Sequence, residues 1–266
     1  MKIIKKILLC LISIISIVLL NSCRKTQNEF VCGDFIYRVV EIDGEKMAAI
    51  RETSDQGTSK KVLIMPEYLD GYRVYGMYDN IPNKQVMNSF KGSLCSPNLE
   101  KLYLPYKFKI NYKVRGDIFF LCDIDENEEI QLGRYANKVF YTSKVNIEEH
   151  STSKYISEYI RYTVNADVTY YNNYGDDSIY WIDDYDNEVI KYKPADPVRE
   201  GYTFDGWYKD SEYNEKWDFS KDMVPKKDIT TIKKEFELTK YIYNYKETKL
   251  FAKFIYSWLH ILLVDF

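Results

Sequence analysis

Histidine is nearly absent from this chain: His150 and His260 are the two among 266 residues. Neither has a metal-ligand partner three or four positions away, and no HExxH, GxSxG, GxGxxG or P-loop segment occurs. The signatures of most enzyme classes are missing, so the expectation is a non-catalytic protein with no cofactor, no catalytic residue and no bound metal. Cysteine is scarce as well, at five. Cys10 and Cys23 lie in the N-terminal segment. The remaining three, Cys32, Cys95 and Cys122, are an odd number separated by 63 and 27 residues, which completes no disulfide framework and matches no zinc spacing. Neither charge sign dominates. Lys+Arg 37 against Asp+Glu 40 leaves a formal net charge of -3, which provides no electrostatic footprint for nucleic acid.

A hydrophobic run long enough to span a bilayer is also missing. Ile7 to Leu20 carries no charge but is shorter than the roughly 18–20 residues a spanning helix needs. Preceded by Lys2, Lys5 and Lys6, it has the basic and apolar regions of an export signal. The four residues that follow, Leu20-Asn21-Ser22-Cys23, resemble the lipobox of bacterial lipoproteins. That resemblance implies that residues 1–22 are a removed signal peptide and that Cys23 is the lipidation site. It also implies a short lipidated tether over 23–32 and a place on the extracellular face of the bacterial cell envelope, with the membrane as a partner. Two or more acyl chains give stable attachment where one is marginal.

Aromatic residues are what the chain has in plenty: 26 Tyr, 13 Phe and 4 Trp. Such rings suit half-buried β surfaces and contact faces, which leans the composition toward strands. FIYRVVEI and KVLIM have strand chemistry and are separated by turn or loop material, DGEK and SDQGTSKK. Ser89 to Pro105 and Asp117 to Gly133 overlay at a shift of about 28 residues, with Phe90 on Ile118, Leu102 on Ile130 and Leu104 on Leu132. In Leu63 to Met77, the residues Pro66, Asp70, Gly71, Tyr72 and Val74 fall on the pattern of the BspA-like leucine-rich repeat, which the segment resembles together with Phe90, Cys95, Leu99 and LYLP. The resemblance implies stacked coils over 33–145, with Cys95 and Cys122 as small core residues. Ser151 to Tyr162 has helical spacing, which gives a helical connector over 146–164.

The segment PVREGYTFDGWYKDSEYNEKWDF, Pro197 to Phe219, alternates Tyr202 and Phe204 with polar residues. Asp205-Gly206 then bends or bulges the strand before Trp207 and Tyr208. Without disulfide or metal, a small unit needs large side chains, so these rings read first as core and second as a ligand-stacking platform. The motif, with LFAKF at Leu250 to Phe254, resembles the Listeria-Bacteroides repeat, also called the internalin B-repeat. That family implies a small β-grasp-like module of exported bacterial surface proteins, here over 165–254, and carries no catalytic residues over. Residues 224–248 form an insertion, and 255–266 an apolar C-terminal tail.

Other clusters have bland readings. Asp123, Asp125 and Asn127 begin like a calcium loop, but Glu128 stands where the turn glycine belongs. IDDYDNE, Ile182 to Glu188, is a solvated acidic turn by default. Arg115-Gly116-Asp117 is the tripeptide read by integrins, a three-residue match of little information. The expected fold class is β-rich α+β: a short irregular leucine-rich-repeat-like solenoid followed by a small β-grasp-like module. The expected function is a lipid-anchored surface protein that mediates binding or adhesion through its repeat domain, with a host or cell-wall protein or glycan as ligand. Tyr72, Tyr103, Trp207 and Tyr208 are the candidate binding residues. A structural envelope or stalk component is the alternative, and a hydrolase using the acidic loops a more distant one.

Overall fold

A computed structural model describes residues 29–78, 94, 96–107, 114–122, 136–141, 161–163, 166–176, 178–234, 237–244 and 246–257. The described chain is β-rich: sixteen strands and one helical turn, α1 (Asp55–Thr58). That turn falls inside SDQGTSKK, where the Ser54 hydroxyl accepts a hydrogen bond from the Gly57 amide at 3.2 Å and caps it.

The first sheet has the order β1 (Glu29–Cys32), β2 (Phe35–Ile42), β3 (Glu45–Thr53), β6 (Tyr72–Met77), β5 (Tyr68–Leu69). Two Asp-Gly pairs make two of its turns. Asp43 and Gly44 (φ 51° and 83°) join β2 to β3, and Asp70 and Gly71 (φ 48° and 84°) join β5 to β6. Positive φ at both central residues is the turn that matches strand twist, and Asp-Gly adopts it at low cost. The Tyr37 hydroxyl donates to Asp70 Oδ2 at 2.8 Å, so the second turn is held to the first hairpin. Strand β1 lies in the stretch expected to be tether: Glu29 to Cys32 pair with Phe35 to Arg38, and the folded part begins before residue 33.

The second sheet is wholly parallel, in the order β10 (Arg161–Thr163), β9 (Ala136–Tyr141), β8 (Gly116–Phe120), β7 (Lys101–Leu104), β4 (Val62–Ile64). Its register corrects the expected repeat. Leu63 pairs with Leu102, Leu102 with Ile118 and Ile118 with Val139, steps of 39, 16 and 21 residues in place of a uniform 28. Ile118 therefore lies beside Leu102, where the overlay put Phe90 on it. The overlay aligned apolar letters, whereas the ladder aligns inward-facing positions and tolerates connections of unequal length. Residues 161–163, expected in a helical connector, are strand β10; residues 146–160 lie outside the described residues. Gly116 opens β8 with φ 87°, and a Cβ there would sit 2.6 Å from the Glu100 carbonyl oxygen, so the close approach of β8 requires glycine.

The third sheet has the order β12 (Ile179–Asp183), β11 (Val168–Tyr171), β16 (Thr248–Tyr256), β13 (Tyr202–Tyr208). Strands β11 and β16 are parallel, and their neighbours are antiparallel. The expected bulge is present: the β13 register shifts between Phe204 and Gly206, where Gly206 has φ 150°. The stretch 224–248 contains a hairpin, β14 (Asp228–Lys234) with β15 (Glu237–Asn244). Strand β16 runs through Tyr256, two residues past the expected module end. Residues 258–266 lie outside the described residues.

Two hydrophobic clusters share the parallel sheet. Leu63, Leu102, Leu104, Ile118, Phe120, Val139 and Tyr141 join Phe35, Tyr37 and Ile50 of the first sheet. From the other face of the same strands, Tyr103, Phe119 and Phe140 join Val168, Tyr170, Trp181, Trp207, Trp217 and Leu250. A parallel sheet covered on both faces needs almost unbroken apolar strands, which is why KLYL and GDIFF carry so few polar residues.

Candidate functional site

The strand face expected to be a binding surface is covered. Tyr103, Phe119 and Phe140 form a stack across three neighbouring strands, with centroids 4.6 and 4.7 Å apart, and Trp181 of the C-terminal module closes on Tyr103 at 4.5 Å. Charges line the same boundary. Lys101 contacts Asp183 and donates to the Asp184 carbonyl at 3.0 Å, and its ammonium stands 3.8 Å from the Tyr185 ring centroid. Lys138 reaches Asp184 Oδ2 at 2.9 Å, and Lys227 contacts Asp184 and lies 3.2 Å from Asp167 Oδ2. The acidic segment read as a solvated turn is thus buried at its start and exposed at its tip: Asp183 is 0 % exposed, whereas Asp186 and Asn187 face solvent.

Burial dominates the titration of these carboxyls. It pushes Asp183 above the ordinary range, with the Lys101 charge opposing it. It pushes Asp117 up to about 6 against the charge of Lys138. It pushes Asp167 up to about 7, the Asp184 charge adding to the effect and Lys227 opposing it. Between the ordinary value of 3.8 and these raised values, the folded chain holds protons that the unfolded chain has released. The stability from Asp117 and Asp167 is therefore full below 3.8 and is lost as pH rises through about 6 and about 7. Thermal melts are expected to give a higher midpoint at about pH 5 than at about pH 8, and Asp117→Asn should reduce the difference. A midpoint that rises between those two pH values would refute this account.

Each candidate residue has a definite place. Tyr103 and Trp207 are 1 % exposed and present no ring face to a ligand. Trp207 packs edge-on against Tyr170 at 4.9 Å and Phe204 at 5.4 Å, as the core reading of that segment requires. Tyr208 is buried, its hydroxyl donating to Asp205 Oδ2. Tyr72 is half-buried against the first cluster. Asp117 of the Arg-Gly-Asp tripeptide sits in strand β8 beside the lysine cluster, not at a loop tip. Cys23, Cys95 and the Asp123 loop lie outside the described residues. Cys32 and Cys122 are half-buried, and no disulfide joins them. No group of three or more His, Cys, Asp or Glu among the described residues could hold a metal ion.

An exposed aromatic surface lies elsewhere on the C-terminal module. The Arg199 guanidinium stands 4.1 Å from the Tyr202 ring centroid, 5.0 Å from Tyr174 and 5.9 Å from Phe254. Tyr174 packs on Phe254 at 5.3 Å, and Tyr202 meets Tyr256 edge-on at 5.3 Å. In this stack Tyr174 is 40 % exposed and Tyr256 47 %, and Val198, next to Arg199, is 92 % exposed. Cation–π contacts hold the guanidinium over its rings and pre-organise the surface. Sequence reading missed the group because its members span residues 174 to 256; the available signal was Arg199 beside Tyr202, with aromatics near the end of the last strand.

Residues 162–232 match the family described as the Listeria-Bacteroides repeat domain. A stretch of 44 residues is 52% identical to Internalin H of Listeria monocytogenes, covering 16% of this chain and 8% of that protein. No solved structure matches the chain. The matched residues end inside β14, while β16, an inner strand of the third sheet, lies beyond the hairpin.

Proposed function

We propose that this chain is a non-catalytic bacterial surface protein, anchored by lipid on Cys23, that binds a partner through the exposed aromatic surface of its Listeria-Bacteroides repeat. In this reading the parallel sheet is the strand ladder of an irregular leucine-rich-repeat-like solenoid. The mixed sheet, with its first and last strands parallel and adjacent, is a β-grasp-like module. Supporting a surface role are the family match over 162–232 and the short identity to Internalin H. The observation that carries the binding role is the exposed Tyr174, Tyr256 and Val198 beside the stacked Arg199. Tyr and Arg beside aliphatic surface suit a protein ligand, since such residues dominate protein–protein contact energies.

The repeat-domain binding role gives way to a scaffold role, because the aromatic face of the parallel sheet is already occupied. Binding of the purified chain to immobilised cell-wall and extracellular-matrix proteins is expected to be saturable. Tyr256→Ser with Val198→Asp is expected to weaken it about thirty-fold, as loss of about 2 kcal/mol of contact energy gives. Undiminished binding by that variant would move the site elsewhere, and no binding to any partner would favour a structural envelope component. Anchoring has its own check: Cys23→Ala should lose radiolabelled fatty acid and leave the membrane fraction, and persistent labelling would end the lipoprotein reading.

A further inference from the structure

Four charged side chains meet where the acidic segment of the C-terminal module turns beneath the parallel sheet. The Lys227 side chain is 5% exposed and touches two carboxylates, Asp184 through Oδ1 and Asp167 through Oδ2 at 3.2 Å. The second oxygen of Asp184 faces the Lys138 ammonium at 2.9 Å. Asp167 is held in place, its Oδ1 accepting a hydrogen bond from the Tyr185 amide at 3.0 Å. The cluster therefore has an amine against one carboxyl, a cation on that carboxyl's far oxygen, and a second carboxyl touching the amine. We propose that Lys227 and Asp184 condense to an intramolecular amide cross-link, with Asp167 as the acid–base group, tying the base of the β14–β15 hairpin to the segment after β12.

The step balances without any co-reactant. The Lys227 ammonium gives one proton to the Asp167 carboxylate, and the neutral amine attacks Cγ of Asp184 to form the C–N bond. Negative charge on the Asp184 oxygen is met by Lys138, as a preorganised cation meets charge developing in an acyl transfer. The C–O bond then breaks, and the departing oxygen leaves as water with two protons, both from the Lys227 nitrogen and both carried by Asp167. One ammonium and one carboxylate become one amide and one water, and Asp167 returns to its starting state.

Burial supports each part. Holding nucleophile and electrophile in contact removes the entropy cost of their meeting, and exclusion of water disfavours the reverse reaction. A carboxyl raised to about 7 both accepts and returns a proton near neutral pH. The other buried pair, Lys101 with Asp183, lacks this arrangement: besides Asp183, Lys101 donates to the Asp184 carbonyl at 3.0 Å, and no second carboxyl contacts it among the described residues.

Tryptic mapping of the denatured full chain tests the proposal directly. Trypsin does not cleave after an acylated lysine. The expected product therefore joins residues 162–191 to residues 227–233 and is lighter than the two peptides together by one water. Lys227→Arg should abolish the product, and Asp167→Asn should reduce its yield at least tenfold. Quantitative recovery of a peptide cleaved after Lys227 from protein with native circular dichroism overturns the proposal, as does a linked peptide joining any other pair. The wild-type map decides the matter even where a variant fails to fold.

Discussion

Phe119→Ala is expected to destabilise the chain by about 3–5 kcal/mol in urea unfolding, the cost typical of truncating a buried large aromatic. Phe119 is 0 % exposed and lies between Tyr103 at 4.6 Å and Phe140 at 4.7 Å, in the cluster that also holds Trp181 and Trp207. Its removal opens a cavity between the parallel sheet and the C-terminal module, and rigid strands on either side limit how far the site can collapse. Trp181, Trp207 and Trp217 belong to that module, so tryptophan fluorescence reports the loss although the substitution is in the parallel sheet. If the sheet face were open to solvent, as a repeat binding surface would be, the cost would fall within about 0.5 kcal/mol. The measurement thus separates a covered face from an exposed one.

Lys101→Met is expected to cost about 3–5 kcal/mol near neutral pH, because it leaves Asp183 buried without its cation. Asp183 is 0 % exposed, and its Oδ2 has no hydrogen-bond partner. Lys101 also satisfies the Asp184 carbonyl at 3.0 Å, which the substitution leaves unpaired as well. The double variant Lys101→Met with Asp183→Leu should recover most of the loss, since replacing both members of a buried pair by apolar groups is often close to neutral. Chemical denaturation of the wild type, the single and the double variant completes the comparison. A single variant as stable as the wild type would mean that the pair contributes nothing to docking of the module.

Local chemistry made much of the C-terminal module legible. The Asp205-Gly206 bulge follows from glycine at a position of positive φ, and the final strand from LFAKF. The Listeria-Bacteroides motif was readable because its glycines and aromatics lie close together in one stretch. The Asp-Gly turns of the first sheet were equally local. Reading failed where partners are distant: the 28-residue overlay used apolar letters alone, and the nearly unbroken apolar runs of KLYL and GDIFF indicate cover on both faces without indicating what covers them. Tyr103 and Tyr256 are both strand tyrosines, yet one is 1% exposed and the other 47%.

Strand chemistry, the turns, the bulge and the family of residues 162–232 were determined by the sequence itself, because each depends on residues a few positions apart. Tertiary structure alone decided that Lys101, Lys138 and Lys227 meet Asp167, Asp183 and Asp184, and that the aromatic face of the parallel sheet is covered by the module beside it. The physical reason is sequence distance. Contacts such as Lys101 with Asp183, 82 residues apart, exist only once the sheets pack, and burial then sets both the charge state of the carboxyls and which rings remain exposed.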